Sequence, residues 1–170
     1  MKINNVLLAE MPIHKFSKDI IEEYDVNEST GWVNELLVEL QEENDNENSL
    51  PPAAMHIHAT ITNKSDRILN EHFILKSKLE AKFHLPCVRC LHPLQQELNL
   101  DLSAAFLHDT KEKMPEYAES TTVFADGKEM ELYFYNKGFI QVKEFFHEQI
   151  FMEIDQFPRC HGECQGPILF

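Results

Sequence analysis

The sequence predicts an α+β fold that consists mainly of an antiparallel sheet with two or three helices. Two long segments, residues 72–85 and 94–106, alternate between apolar and polar side chains, as strands with one buried face do. A short connection joins them, so they should pair as a long central hairpin. Because 170 residues with 43% hydrophobic content suffice for one core, we expect a single domain over residues 1–170.

Shorter elements are predicted on both sides of the hairpin. Residues 3–8 have the composition of a first strand, whereas the mixture around Pro12 fits no regular element. Two hydroxyl side chains precede a helix predicted over about residues 31–43, and Trp32 on its apolar face is predicted to anchor the core. The other predicted elements are strands over residues 55–62, 121–124 and 131–135 and a helix over about residues 141–153.

Acidic side chains dominate the segments between these elements. We predict exposed acidic loops near residues 42–52 and 109–120, where the apolar periodicity is lost. The whole chain has 29 acidic and 15 basic side chains, which gives a formal net charge of −14. Because this charge repels polyphosphate over most of the surface, any contact with nucleic acid must be local.

The distribution of apolar residues also bears on the compartment. No apolar run is long enough to span a membrane, and the first residues lead into no signal-type segment. We therefore expect a soluble, cytoplasmic protein whose cysteines stay reduced. The sequence pattern does not indicate an oligomeric state.

All four cysteines lie in two close pairs, Cys87 with Cys90 and Cys160 with Cys164. Each pair can place two sulfur atoms near one point, as a tetrahedral zinc requires. We predict a structural four-cysteine zinc knuckle at the hairpin tip, which fastens the C-terminal segment there. Two alternatives stay open: unliganded thiols in a degenerate site, or redox chemistry, which the antiparallel flanks disfavour. The histidines close enough in sequence to replace a sulfur are His84, His92 and His161.

No catalytic motif is recognisable in the sequence. The five glycines form no phosphate-binding loop, and neither a Gly-x-Ser-x-Gly elbow nor a His-Glu-x2-His helix occurs. A zinc ion with four cysteine ligands also has no open position for a substrate. We predict that the protein is not an enzyme.

A group of basic residues precedes the first cysteine pair. Lys76, Lys78 and Lys82 share one strand face with two histidines, and Arg89 lies in the connection. These four residues, the basic stripe, are predicted to contact RNA phosphates by charge and position without reading the base sequence. Lysines on a strand also guard a solvated face or edge against aggregation, and the sequence supports both interpretations equally.

The order of these features resembles the YceD family. The resemblance rests on Cys-x2-Cys-Leu at residues 87–91, an acidic insertion, a tyrosine-rich strand, a helix beginning near residues 140–144, and a closing Pro-x-Cys-x3-Cys-x-Gly at residues 158–166. It is best over residues 73–107 and 133–166. The resemblance implies a metal-binding, nucleic-acid-binding protein that supports the accumulation of large-subunit ribosomal RNA.

One departure from the family pattern concerns residues 165–170, where related sequences commonly continue into another Cys-x2-Cys pair. Two functional hypotheses follow. The favoured one is a bacterial, non-enzymatic, zinc-binding ribosome-biogenesis factor for large-subunit (23S) ribosomal RNA, with precursor RNA or a pre-ribosomal particle as its partner. The alternative is a zinc-stapled adaptor whose acidic segments, residues 42–48 and 109–131, bind a basic ribosomal protein or nuclease without direct RNA contact.

Overall fold

The structure is a computed structural model that describes residues 6–41 and 52–160. Its strands are β1 (Glu10–Pro12), β2 (Ile21–Asn27), β3 (Ala54–Asp66), β4 (Asn70–Pro86), β5 (Pro93–His108), β6 (Thr122–Ala125), β7 (Lys128–Tyr135) and β8 (Phe139–Gln141), and its helices are α1 (Gly31–Gln41) and α2 (Val142–Glu153). These elements confirm the predicted α+β class. Neither described helix has the length and apolar character that a membrane span requires.

The strands form one large sheet and one small one. The large sheet has the order β2-β3-β4-β5-β7-β6, and β1 pairs separately with β8. All pairs are antiparallel except β5 with β7, which run parallel. β4 and β5 pair from His72 opposite Leu107 to Pro86 opposite Pro93, so the hairpin predicted from the alternating pattern is present over its full length.

The main core lies between one face of the large sheet and the two helices. Trp32 is 7% exposed, donates its indole N–H to the carbonyl oxygen of Leu7 over 2.9 Å and stacks on Phe146. Its predicted role as a core anchor is therefore confirmed. Phe145, on the sheet side of α2, contacts Phe106 of β5 and Tyr133 of β7 through its ring, so α2 is fixed to the sheet by aromatic packing.

A second, smaller core covers part of the opposite face of the sheet. Asp126, in the turn between β6 and β7, lies against lysines of β3 and β4, so the β6–β7 ribbon curls across this face. Tyr117, from the segment predicted as an exposed acidic loop, is 9% exposed and packs with Ile74 and Leu107. Most of residues 109–120 are exposed, but Lys111 and Tyr117 are buried, so this segment covers part of the second face of the sheet.

The N-terminal region departs most from the sequence-based prediction. Residues 6–8, the described part of the predicted first strand, form no strand, and β1 and β2 lie instead in the segment that fitted no pattern. β3 continues to Asp66, four residues beyond the predicted end of this strand at residue 62, and the turn that follows lies at residues 67–69. The predicted acidic loop near residues 42–52 lies outside the described residues except for Pro52.

Candidate metal centre

Three cysteines lie together beside the connection between β4 and β5. Cys87 and Cys90 belong to this connection, residues 87–92. Cys160 lies in the segment that follows α2. Cys87 is fully buried, Cys90 is exposed and Cys160 is half-buried. The structure therefore brings together three of the four predicted ligands, and Cys164 lies outside the described residues.

The spacing of the sulfur atoms fits a metal site. The Sγ atom of Cys160 lies 3.8 Å from that of Cys87 and 3.7 Å from that of Cys90, and all three lie within 4.8 Å of one another. A disulfide holds its sulfurs only about 2.05 Å apart. Ligands about 2.3 Å from a tetrahedral zinc are about 3.8 Å from each other. The three thiols are therefore close enough to one another to hold a metal ion.

Backbone groups converge on the buried sulfur of Cys87. The N–H groups of Arg89 and Cys160 each donate to this sulfur over 3.4 Å. Such donors stabilise negative charge on a sulfur atom, and a metal-bound cysteine is a thiolate. The N–H of Val88 also donates to the carbonyl oxygen of Pro158 over 2.8 Å. The segment after α2 is thus attached to the hairpin connection by the backbone as well as by the cysteine cluster.

The connection itself is a tight turn that contains no glycine. The N–H of Cys87 donates to the carbonyl oxygen of His92, and the N–H of Leu91 donates to that of Cys87, each over 2.9 Å. This closure places Leu91 at a φ of 63°, a left-handed conformation that costs an L-residue about 1–2 kcal/mol. This backbone strain lies directly after the second cysteine of the pair. The fold therefore carries a local cost in conformational free energy beside the cysteine cluster.

Replacing Leu91 with glycine is expected to stabilise the protein. Leu91 is 70% exposed, so little buried surface is lost, and the relief of strain exceeds the added entropy of an unfolded glycine. We expect the free energy of unfolding in urea to rise by about 0.5 kcal/mol. The matched control is Val88→Gly in the same connection, whose φ is not positive and which should lower stability. A destabilised Leu91→Gly variant would show that the turn is not strained at this residue.

The histidines near the cysteines differ in how far they are exposed to solvent. His84 is 6% exposed and His72 is 2% exposed, although both share a strand face with the lysines of the basic stripe. His92 is exposed and does not belong to the cysteine group. His161 lies outside the described residues. Among the described residues the group of metal-ligating side chains thus consists of cysteines alone.

Acidic residues from neighbouring strands lie beside the lysines of the basic stripe. The ammonium group of Lys76 lies 2.8 Å from one carboxylate oxygen of Asp126, and that of Lys64 lies 3.4 Å from the other. The hydrogen bond from Lys76, aided by the charges of both lysines, holds the pKa of Asp126 below its usual range. Lys82 lies 3.7 Å from Glu97. Lys78 stands opposite Asp101 in register, and Arg89 is exposed.

The position of Asp126 beside these lysines could not be predicted from the sequence. Asp126 reaches Lys64 and Lys76 only because the β6–β7 ribbon curls across the sheet, and Glu97 is paired with Lys82 by the hairpin register. Taken with these acids, this face of the sheet is a mixed-charge surface rather than a purely positive one. RNA binding by the basic stripe stays a prediction.

Fold and site together define a class: an acidic α+β protein in which a long hairpin and a returning C-terminal segment meet at a cysteine cluster. Comparison with protein families gives one match, over residues 75–169, to the family described as large ribosomal RNA subunit accumulation protein YceD. The match covers more than half of the chain, and the chain belongs to the YceD family. No curated protein and no solved structure matches the chain.

Proposed function

We propose that this protein is a non-enzymatic, zinc-binding factor that acts in the cytoplasm to support the processing or accumulation of large-subunit (23S) ribosomal RNA. The observation that carries the proposal is the family match, because the matched residues 75–169 include most of the β4–β5 hairpin and all four cysteines. The proposed partner is precursor ribosomal RNA or a pre-ribosomal particle.

Zinc is proposed to be held by Cys87, Cys90 and Cys160, with Cys164 as the fourth ligand. The spacing of the three described sulfurs supports this ligand set. A zinc ion enclosed by four thiolates supplies rigidity rather than chemistry. Its role would be to join the hairpin connection and the C-terminal segment into one fixed surface.

The proposed RNA-contacting residues are Lys76, Lys78, Lys82 and Arg89. Among the ion pairs of the described residues, none includes Lys78 or Arg89, so these two cations are available to phosphates. At Lys76 and Lys82 a phosphate would compete with the neighbouring carboxylates. RNA affinity should therefore depend on these acidic residues as well as on the basic ones.

The decisive experiment measures binding of structured large-subunit ribosomal RNA fragments over a range of salt concentrations. In the variant Lys76→Glu/Lys78→Glu/Lys82→Glu we expect affinity to fall at least tenfold and the slope of log affinity against log salt to decrease by about two to three. The single variant Asp126→Asn should act in the opposite direction. It releases Lys64 and Lys76 from their shared carboxylate and should tighten binding about threefold.

A control for total charge is available on the same chain. Lys15 and Lys18 flank Phe16 of the main core, and Lys137 follows Tyr135 of the same core, on the other side of the sheet. All three lysines are exposed, and changing them to glutamate alters the net charge by the same amount. We expect this control variant to retain most of its RNA affinity. If both triple variants lost RNA affinity equally, or if neither lost any, the basic stripe would have no specific role in RNA binding.

The adaptor hypothesis is a second candidate function. The net charge of −14 favours a basic protein partner over a polyanion across most of the surface. Co-sedimentation with pre-ribosomal particles separates the two functions. Association that survives RNase treatment favours the adaptor, whereas association that is lost favours direct RNA contact.

A further inference from the structure

β5 has a long open edge. On one side it pairs with β4 along its length, but on the other side it pairs with β7 only from Ala104 to His108. Within residues 6–41 and 52–160 no strand pairs with this second side between Pro93 and Ser103. At about 3.3 Å per residue this edge is about 36 Å long, and its outward backbone groups can form hydrogen bonds with an added strand.

The features that normally protect a sheet edge are confined to the two ends of this one, where Pro93 begins it and Lys128 donates a hydrogen bond to the hydroxyl of Ser103. Natural edges are kept short, or carry lysines, prolines or inward-pointing charges. β6 has four residues, and β2 has seven with acidic side chains at Glu22, Glu23 and Asp25. Residues 94–103 of β5 contain neither lysine nor proline. Their core-facing side chains that remain half-exposed include Leu98, Leu100 and Leu102.

The charges around this edge indicate which kind of partner can bind to it. On the face opposite the leucines the edge presents Glu97 and Asp101, on a chain whose net charge is −14. Glu97 lies 3.7 Å from Lys82, so a basic side chain of a partner would share its carboxylate with that lysine. A second copy would bring the same charge, and a two-fold pairing centred on Asn99 would place Glu97 against Asp101 of the copy, which is destabilising. An extended basic segment instead binds favourably on both faces of the edge. It makes apolar contacts with the leucines on one face, and its basic side chains are attracted to the acidic residues on the other.

We propose that the open edge of β5, residues 93–103, binds an extended segment of a partner protein that alternates apolar residues with lysine or arginine. The segment adds a strand to the sheet, which is a recognised mode of peptide binding. Its apolar side chains lie beside Leu98, Leu100 and Leu102, and its basic side chains lie beside Glu97 and Asp101. The inference deepens the adaptor function and moves its contact surface from the acidic segments to a sheet edge.

The test uses the full chain and a fluorescein-labelled nine-residue peptide of alternating lysine and valine. We expect fluorescence anisotropy to show binding that weakens at least tenfold in Glu97→Lys/Asp101→Lys and in Leu100→Lys. The matched control, Glu23→Lys/Asp25→Lys, makes the same change of charge on β2 at the other edge of the sheet, and it should bind within twofold of the unmodified protein. A peptide with alternate amide nitrogens methylated cannot complete the strand and should bind at least tenfold more weakly.

Hydrogen exchange locates the bound peptide. With the lysine–valine peptide present, alternate amides within residues 94–102 should become protected, and those of residues 21–27 should not. Equal weakening by the β5 and β2 charge variants, or binding that tolerates the methylated peptide, would show non-specific attraction and overturn the proposal. A dimer seen by sedimentation velocity without peptide and lost in Leu100→Lys would assign the edge to a second copy instead. Because no RNA is used, this test can fail independently of the RNA-binding proposal.

Discussion

Replacing Cys87 with serine is expected to abolish zinc binding and to release the C-terminal segment from the hairpin connection. Cys87 is fully buried, and its sulfur accepts two backbone N–H groups and lies 3.8 Å from that of Cys160. A serine oxygen is a poor zinc ligand and is too short to reach the same point. Protein purified without added metal should fall from about one zinc per chain to less than about 0.1.

The loss of the metal should also be visible in stability. Structural zinc sites contribute folding free energy directly, and removal of about 3 kcal/mol from a chain of this length lowers Tm by about 6–12 °C. The double variant Cys160→Ser/Cys164→Ser should show the same loss of zinc. The segment after α2 should also unfold locally, detected as amide exchange in residues 154–160 that rises more than the exchange of β3, which reports global stability.

His92→Ala is the matched control for this prediction. His92 lies in the same connection and is exposed, and its side chain is outside the cysteine group. It should keep about one zinc per chain. Cys87→Ser protein that still contained one zinc, or unmodified protein that contained none, would contradict the proposed site and favour unliganded thiols.

The long elements could be predicted because each carries its apolar side chains mainly on one face. β4 and β5 alternate over most of their length, and the apolar spacing of α1 and α2 gives their positions within two residues. β2 could not be predicted in the same way. It is an edge strand with only Tyr24 and Val26 buried, so its pairing with β3 depends on tertiary contacts that its own composition does not reveal.

The candidate site was also predictable only in part. Short spacing places Cys87 near Cys90 whatever the fold, and the requirement of a tetrahedral metal for four ligands predicted that Cys160 joins them. The acidic neighbours of the basic stripe were not predictable from one strand. They come from the hairpin register and from the curl of the β6–β7 ribbon, which places Asp126 against Lys76 although the two are 50 residues apart in the chain.

Truncation of Phe145 to alanine is expected to cause the largest loss of stability in the core. Phe145 is fully buried, and its ring centroid lies 5.9 Å from that of Phe106, 5.1 Å from Tyr133 and 5.0 Å from Phe146. Removing the ring leaves a cavity between α2 and the sheet that these aromatic neighbours cannot fill. The expected cost is about 3–5 kcal/mol in the free energy of unfolding, measured in urea.

Phe124→Ala is the matched control, because Phe124 is 70% exposed on β6. The free energy of unfolding of this variant should stay within about 0.5 kcal/mol of that of the unmodified protein. Folded Phe145→Ala protein should still contain about one zinc per chain, since the ring contacts of Phe145 involve none of the cysteines. Metal loss in this variant would mean that the position of α2 determines whether Cys160 can reach the hairpin connection. Core and metal centre would then form one cooperative unit rather than two separable ones.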